Sequence, residues 1–181
     1  MALPRAPRLK LDARPVIALV LGAVYLLMLV ELQVAVFNDR ALRARGAIEP
    51  PDDVFWVMRF AYPGAFLLIG LEALRHAWLY RDVVLVGLLL FGWAKALKFW
   101  VIQTLGSRWS FRVLVVPGLP LVTSGPYRWM RHPNYVAVLG EIVAISVALS
   151  APIAGVIAFL GFAWLLRKRI AVEERALGLR H

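Results

Sequence analysis

The sequence has no cysteine, and this absence excludes disulfide bonds, thiolate catalysis and zinc-ribbon sites. Its three histidines, His76, His132 and His181, are widely separated, so we predict no histidine-based metal site. Charged residues are also scarce: they make up 18% of the chain, against about a quarter in soluble domains. The chain therefore has too few charged groups for the surface of a typical soluble protein.

Apolar residues dominate instead, with 61% of the 181 positions and a mean hydropathy of +0.73. This composition predicts a membrane protein, and the length allows one compact bundle, so we predict a single membrane domain over residues 1–181. The net charge of +10 is compatible with nucleic-acid binding. In a membrane protein, however, arginines collect at the cytoplasmic ends of the spans, and we therefore predict no nucleic-acid partner.

Apolar runs of about 20 residues, long enough to cross a bilayer core of ~30 Å, divide the chain into helices. They predict an all-α integral membrane protein with about five transmembrane helices, over residues 16–37, 55–74, 83–105, 133–149 and 152–166. The last two are separated only by Ser150 and Ala151 and form a C-terminal helical hairpin, and residues 167–179 predict a short cytosolic helix. Between the third and fourth spans, weak alternation over residues 110–116 and 121–123 predicts a short extended hairpin.

The distribution of Lys and Arg predicts the orientation of this bundle. With five spans, residues 38–54, 106–131 and 167–181 share one face and carry 12 of the 21 basic residues, whereas residues 1–14 and 75–82 share the other face and carry 6. Because cytoplasmic segments carry the excess of basic residues, the first face is predicted to be cytoplasmic, although the basic N-terminus argues against this orientation. The Ala/Arg/Leu/Val-rich composition is typical of a high-GC bacterium. We therefore expect the bacterial inner membrane, with the active site facing the cytoplasm.

The densest group of polar residues precedes the fourth predicted span, over residues 124–135. Pro133 suits the first turn of a helix, where its missing N–H costs nothing. The start of that helix then offers free backbone N–H groups and the positive end of the helix dipole, which together bind anions. His132 and Tyr135 are three residues apart and would lie on one side of this start. The residues alone leave open the alternative of a basic interfacial loop with aromatic anchors.

A second polar group follows the fifth predicted span. Arg169 and Glu173 are four residues apart and share a helix face, and Glu174 adds another carboxylate. These residues are compatible with an exposed amphipathic tail held by ion pairs. They are also compatible with a site for a ligand that carries hydroxyls and an ammonium group. Because a helical hairpin separates the two polar groups, this tail should begin beside His132.

One carboxylate, Glu141, lies within the otherwise apolar fourth span. An intramembrane carboxylate is costly, which makes it a candidate functional residue by default. Lys95 and Lys98 are its candidate partners, although lysines can also extend their side chains to the interface. We therefore place Glu141 and Lys98 in a candidate substrate pocket.

Two motifs flank the predicted hairpin in a fixed order. The first is Gly125-Pro126-Tyr127-Arg128, followed by Arg131-His132-Pro133 and Tyr135, and the second is Arg169-Ile170, Glu173-Glu174 and Leu177. Together they resemble the isoprenylcysteine carboxyl methyltransferase family, and Leu105-Gly106 with Trp109-Ser110 resembles the segment of that family before the first motif. The resemblance covers about residues 95–179 and leaves the first two spans unconstrained.

The resemblance implies an integral membrane enzyme that uses S-adenosylmethionine and has no Rossmann fold, in agreement with the absence of a G-x-G-x-x-G motif. It places the cofactor between residues 106–132 and residues 167–181. Carried over residue by residue, it assigns cofactor contacts to Tyr127, Arg131, His132, Tyr135, Glu173 and Glu174. It makes Arg169 the candidate catalytic residue, which would position an oxygen nucleophile.

The expected reaction is methyl transfer to an oxygen of a lipophilic small-molecule or lipid-anchored acceptor, in contact with membrane lipids. The segment from Arg131 to Tyr135, with Glu141 beneath it, looks most like a bacterial subgroup that O-methylates long-chain alkylpyrones and alkylresorcinols. Two alternatives stay open. One is a phospholipid N-methyltransferase, a related class with a similar Glu-Glu helix, and the other is a non-catalytic membrane protein of the same fold.

Overall fold

The computed structural model describes residues 8–179, so residues 1–7 and 180–181, which include His181, lie outside the described part. The helices are α1 (Ala13–Ala44), α2 (Phe55–Ala73), α3 (Arg81–Leu105), α4 (Pro133–Ala148) and α5 (Pro152–Ala176). Two short strands, β1 (Lys10–Asp12) and β2 (Trp78–Tyr80), pair antiparallel. Two 3₁₀ turns, Gly106–Arg108 and Gly125–Arg128, lie in the segment between α3 and α4. The chain is therefore mostly helical, as predicted.

The structure corrects the sequence prediction in three details. The β1–β2 pair was not predicted. The predicted extended hairpin before α4 is wrong: within it, Val115 alone forms a bridge, and its partner is Ile48 rather than a second strand of the hairpin. Pro117 and Pro120 lack the N–H groups that a strand pair needs there. The predicted separate cytosolic helix is the last part of α5, because residues 167–176 contain no Pro or Gly to end it.

The outer surface of the bundle is apolar. By length and composition, two helices of the described chain, α1 and α3, could cross a membrane, and α4 is a shorter apolar helix. Only 22% of the most apolar stretch of α1, and likewise of α3, is buried inside the protein. Leu26, Leu89 and Trp93 are among the exposed side chains. Monomeric soluble proteins rarely expose a large continuous apolar surface, so these faces are suited to lipid.

Small residues allow the C-terminal helices to approach closely. Gly87 of α3 lies against the backbone of Ala148 in α4, where a Cβ would clash. In the α4–α5 hairpin, Gly155 lies against the side chain of Ser146, which donates a hydrogen bond to the carbonyl of Ala151 at 2.8 Å. Small residues at helix contacts are typical of membrane bundles. This packing brings the start of α4 and the end of α5 to the same face.

Candidate functional site

The start of α4 and the last turns of α5 bring the two polar motifs together. The Nε2 atom of His132 lies 3.4 Å from Oε1 of Glu174, and its Nδ1 atom lies 3.8 Å from Oε2 of Glu173. Tyr135 donates a hydrogen bond of 2.5 Å to Oε2 of Glu173, and its ring stacks on that of His132 with centroids 5.4 Å apart. Four residues to which the resemblance assigned cofactor contacts thus form one cluster.

Arg169 extends this cluster towards the segment between α1 and α2. Its Nε donates to the hydroxyl oxygen of Tyr135 at 3.1 Å, and its Nη1 donates to Oδ1 of Asp53 at 2.9 Å. The ion pair is almost fully buried, with 6% of the Arg169 side chain and 4% of the Asp53 side chain exposed. Asp53 also accepts hydrogen bonds from the backbone N–H groups of Phe55 at 3.2 Å and Val113 at 3.0 Å. One carboxylate therefore holds the guanidinium and two backbone segments.

Asp53 was missed by the sequence reasoning because it belongs to neither motif. Its neighbour Asp52 has the same side chain but pairs with Arg175 at the surface. The available signal was the position of Asp53 just before the apolar run of α2, which is typical of a helix cap. That signal predicts a cap and does not predict a partner for Arg169.

The Gly125–Arg128 turn positions Tyr127 beside the cluster. Gly125 has a φ of 56°, which suits glycine, and a Cβ at this position would meet the side chain of Thr104 in α3. Burial, and then the negative charge of Glu173, raise the pKa of Tyr127, so its hydroxyl stays protonated and can donate a hydrogen bond. Arg131 lies further along, where it is exposed and borders the cavity described next.

A cavity of about 450 Å³ joins the polar cluster to an apolar interior. Its volume lies within the range of about 300–1,000 Å³ that is common for ligand sites. Its polar end is bordered by Tyr127, Arg131, His132, Tyr135, Arg169 and Glu173, whereas Glu174 lies behind His132. Its apolar walls include Met28, Leu29, Leu32, Met58, Phe162 and Leu166. Leu29 and Leu32 are also exposed on α1, so the cavity reaches the outer apolar surface.

Two buried polar atoms belong to residues that border this cavity and have no hydrogen-bond partner among residues 8–179. They are the donor Nε1 of Trp109 and the acceptor Oδ1 of Asn134. Buried polar atoms are normally paired, so these two are exceptions, although neither atom is itself exposed to the cavity. Within the same described range, no group of three or more His, Asp or Glu side chains is arranged to hold a metal ion.

A second polar cluster lies deeper in the bundle, roughly 9 Å along α4 from Tyr135 at about 1.5 Å per residue. Glu141 is fully buried, with its carboxylate 2.7 Å from Nζ of Lys98 and 3.0 Å from Nζ of Lys95. The same two lysines contact Glu31 of α1, at 3.1 Å from Lys98 and 2.5 Å from Lys95. We call these residues, together with Tyr62 of α2, the ionic network.

Tyr62 completes the ionic network by donating a hydrogen bond of 2.5 Å to Glu141 and accepting one of 3.3 Å from Lys98. Both predicted partners of Glu141, Lys95 and Lys98, are therefore in contact with it. The sequence reasoning missed Glu31 and Tyr62, since nothing in the local pattern of α1 or α2 names a partner on α3 or α4. Glu31, Tyr62 and Lys98 border the cavity, whereas Glu141 lies behind them.

Polar contacts from α1 and from the segment after it fix the long loop before α4. Asn38 donates to the backbone carbonyl of Trp109 at 2.8 Å. Arg112 donates to Glu49 at 2.6 Å, and Arg43 contacts the same carboxylate. Burial opposes ionisation of Glu49, but the hydrogen bonds and charges of the two arginines outweigh burial and hold the pKa of Glu49 below its usual range. The loop thus closes the cavity on the side of α1.

The model of the isoprenylcysteine carboxyl methyltransferase (ICMT) family matches residues 85–178, a range that contains both motifs. The chain is 31% identical over 157 residues to an uncharacterized protein, YpbQ, of Bacillus subtilis, and the match covers 81% of this chain and 88% of that protein. It is 24% identical over 147 residues to an uncharacterized protein of Haemophilus influenzae, covering 81% of this chain and 86% of the relative. No solved structure matches the chain.

Proposed function

Because the chain belongs to the isoprenylcysteine carboxyl methyltransferase family, we propose that it transfers the methyl group of S-adenosylmethionine to an oxygen of a lipophilic acceptor. The family consists of membrane enzymes that use this cofactor, and the apolar outer faces of α1 and α3 agree with an integral membrane protein. The observation that carries the proposal is the cavity, which joins charged and polar groups to an apolar interior. A water-soluble methyl donor and a lipid-soluble acceptor need such a junction.

The residues at the polar end fit S-adenosylmethionine. Its ribose hydroxyls and ammonium group need acceptors, and Glu173, with Glu174 close behind, supplies carboxylates. Its carboxylate needs donors, which His132, Arg131 and the first turn of α4 supply. When bound, the cofactor supplies an electrophilic methyl group.

We assign the aromatic and catalytic roles to side chains that border the same cavity. Tyr127 and Tyr135 offer ring surface for the adenosyl group. Arg169 is oriented by Asp53 and Tyr135, and a guanidinium held in this way can bind an acceptor oxygen that carries negative charge. Holding the oxygen in line with the methyl group contributes much of the rate in a displacement of this kind.

Cofactor binding is tested with purified protein in detergent and S-adenosylhomocysteine as the ligand. Substituting both Glu173 and Glu174 by Ala should abolish binding, because both carboxylates lie in the polar cluster. The matched control is Asp82→Ala, which removes an exposed carboxylate at the opposite face and should leave affinity unchanged. An unaltered elution profile excludes unfolding of the double variant. Full affinity in a folded double variant would contradict the site assignment.

We propose a long-chain alkylpyrone or alkylresorcinol as the acceptor. The acidic enol or phenol would lie at Arg169, and the alkyl tail would follow the apolar walls towards Leu29 and Leu32. Each CH₂ group that enters the apolar part contributes about 0.8 kcal/mol, so kcat/KM should rise about fourfold per carbon until the cavity is filled. A tail-length series that shows no such rise would contradict this placement of the tail.

The acceptor class is tested by incubating the protein with methyl-labelled S-adenosylmethionine and four acceptors side by side. They are a long-chain alkylpyrone, a long-chain alkylresorcinol, N-acetyl-farnesylcysteine and phosphatidylethanolamine. We expect one of the first two to be preferred. Preference for farnesylcysteine would discard the polyketide acceptor and keep O-methylation, whereas preference for phosphatidylethanolamine would establish N-methylation. Absence of labelling in every lipid fraction would favour a non-catalytic protein of the same fold.

We also propose that all five helices span the bacterial inner membrane, with the site facing the cytoplasm. The contact between His132 and Glu174 supports a shared face for the two motifs, and that face carries the larger number of basic residues. Single cysteines can be introduced without removing native ones. Cysteines at Ser107 and Leu179 should label from the cytoplasmic side and one at His76 from the other. Labelling of Ser107 and Leu179 from opposite sides would refute the shared face.

A further inference from the structure

The ionic network borders the same cavity as the polar cluster, and we infer that Glu31 forms a second polar subsite there that accepts a hydrogen bond from a neutral hydroxyl of the acceptor. The inference rests on the proposed O-methyltransferase function. It adds that the acceptor head carries two oxygens, one that is methylated near Arg169 and a second hydroxyl that is held by Glu31. Of the two proposed acceptors it therefore selects the alkylresorcinol, because a hydroxypyrone has only one hydroxyl. If the ionic network only held the helices together, its side chains would not need to face a cavity. Glu31, Tyr62 and Lys98 nevertheless border the cavity.

The free hydrogen-bonding capacity of the ionic network favours a ligand group that donates a hydrogen bond. Lys98 has three N–H groups, and these are directed at Glu31, Glu141 and the hydroxyl of Tyr62. The carboxylate of Glu31 receives one contact from each lysine, at one oxygen each. A carboxylate has about four lone-pair positions, so Glu31 keeps acceptor capacity that a ligand hydroxyl can use.

The charge balance of the ionic network favours a ligand group that carries no charge. Two lysines face two glutamates, and the side chains are 17% exposed for Lys95, 3% for Lys98, 10% for Glu31 and 0% for Glu141. An added charge would have no counter-charge in this apolar surrounding, which is costly. A second hydroxyl therefore fits, whereas a second carboxylate, a phosphate or an ammonium group does not.

The spacing along α4 of the residues beside the two polar ends, Tyr135 next to Arg169 and Glu141 next to Lys98, suits a single ring. Tyr135 and Glu141 are six residues apart on α4, or roughly 9 Å along its axis. Val138 lies between them on α4 and also borders the cavity. A ring with two oxygens, and with a hydrogen bond of about 2.8 Å at each end, has a comparable span. The monomethylated product lacks the second donor, so the reaction should stop after one methyl group.

The test uses three acceptors with the same alkyl tail: a 5-alkylresorcinol, its monomethyl ether and the corresponding 3-alkylphenol. Hydrogen bonds to charged groups favour the diol by roughly ten- to a hundred-fold in kcat/KM, well above the twofold advantage of two equivalent hydroxyls. In the charge-balanced variant Glu31→Leu/Lys95→Met, which keeps the pair Lys98–Glu141, this ratio should fall to about two. The control Tyr25→Phe should keep the ratio, because the Tyr25 hydroxyl is bonded to the carbonyl of Pro63 at 3.0 Å.

The wild-type ratio tests the inference even where a variant fails to fold. If the wild type methylates the three phenols at rates within about threefold, O-methylation stands and the second subsite is refuted. If the double variant slows all three equally and keeps the ratio, the ionic network is a structural brace and the inference fails. Methyl transfer to phosphatidylethanolamine but to none of the phenols refutes the inference together with the O-acceptor.

Discussion

Replacing Asp53 by Asn tests how the proposed catalytic arginine is held. The amide keeps an oxygen for the N–H groups of Phe55 or Val113 but removes the charge opposite Arg169. The guanidinium is then left in a site where both partners are less than a tenth exposed. Removing one partner of a buried ion pair costs about 3–5 kcal/mol. We expect about 3 kcal/mol, at the low end of that range, since the hydroxyl of Tyr135 still accepts a hydrogen bond from Arg169.

The matched control is Asp52→Asn, the same change one residue earlier. Asp52 pairs with Arg175, and both side chains are 54% exposed, so the pair contributes about 0–1 kcal/mol. For a chain of this size, about 1 kcal/mol corresponds to about 2–4 °C in the unfolding midpoint. We therefore expect Asp53→Asn to lower the midpoint by roughly 6–12 °C and Asp52→Asn by less than about 4 °C. The assay is thermal unfolding in detergent, followed by tryptophan fluorescence.

Two results would refute the reasoning about Asp53. The first is an equal midpoint shift in the two Asn variants, which would show that the buried charge of Asp53 matters no more to the fold than the exposed charge of Asp52. The second comes from a double-mutant cycle. In an Arg169→Leu background no buried guanidinium needs a partner, so Asp53→Asn should cost much less than about 3 kcal/mol. An undiminished cost in that background would assign the effect to the backbone contacts of Asp53.

Three further predictions follow from the site and the packing. Arg169→Ala should lower kcat at least about tenfold, whereas its affinity for S-adenosylhomocysteine, measured by calorimetry, should stay within about twofold of the wild-type value. His132→Ala should weaken that affinity. The reverse pattern would exchange the roles of the two residues. Gly87→Ala should destabilise the protein by about 1–3 kcal/mol, because its Cβ would meet the backbone of Ala148. The control is Gly92→Ala on the same helix, which has open space around it and should stabilise the protein by about 1 kcal/mol or less. Equal midpoint shifts in the two glycine variants would contradict the close approach of Gly87 to Ala148.

The sequence by itself determined the class of protein, the helices and the family. An apolar content of 61% and apolar runs of membrane length leave few alternatives to a helical membrane bundle. The start of α4 at Pro133 and the short break before α5 follow from local rules. The two motifs could be brought to one face by chain order alone, because a hairpin returns the chain to the side on which it began. The match over residues 85–178 confirms the family resemblance that these motifs carried.

Only the tertiary structure decided which side chains complete the cavity. Asp53 lies 116 residues before Arg169, and Glu31 lies 67 residues before Lys98. A buried charge requires a partner, but local sequence does not name it, because the partner depends on how each helix is rotated and where it crosses its neighbours. Local sequence also failed to predict the conformation of the loop before α4. Weak alternation predicted a hairpin there, but contacts of the loop with α1 and with the segment between α1 and α2 determine its conformation. Periodicity identifies the helices, whereas their packing determines the pairs.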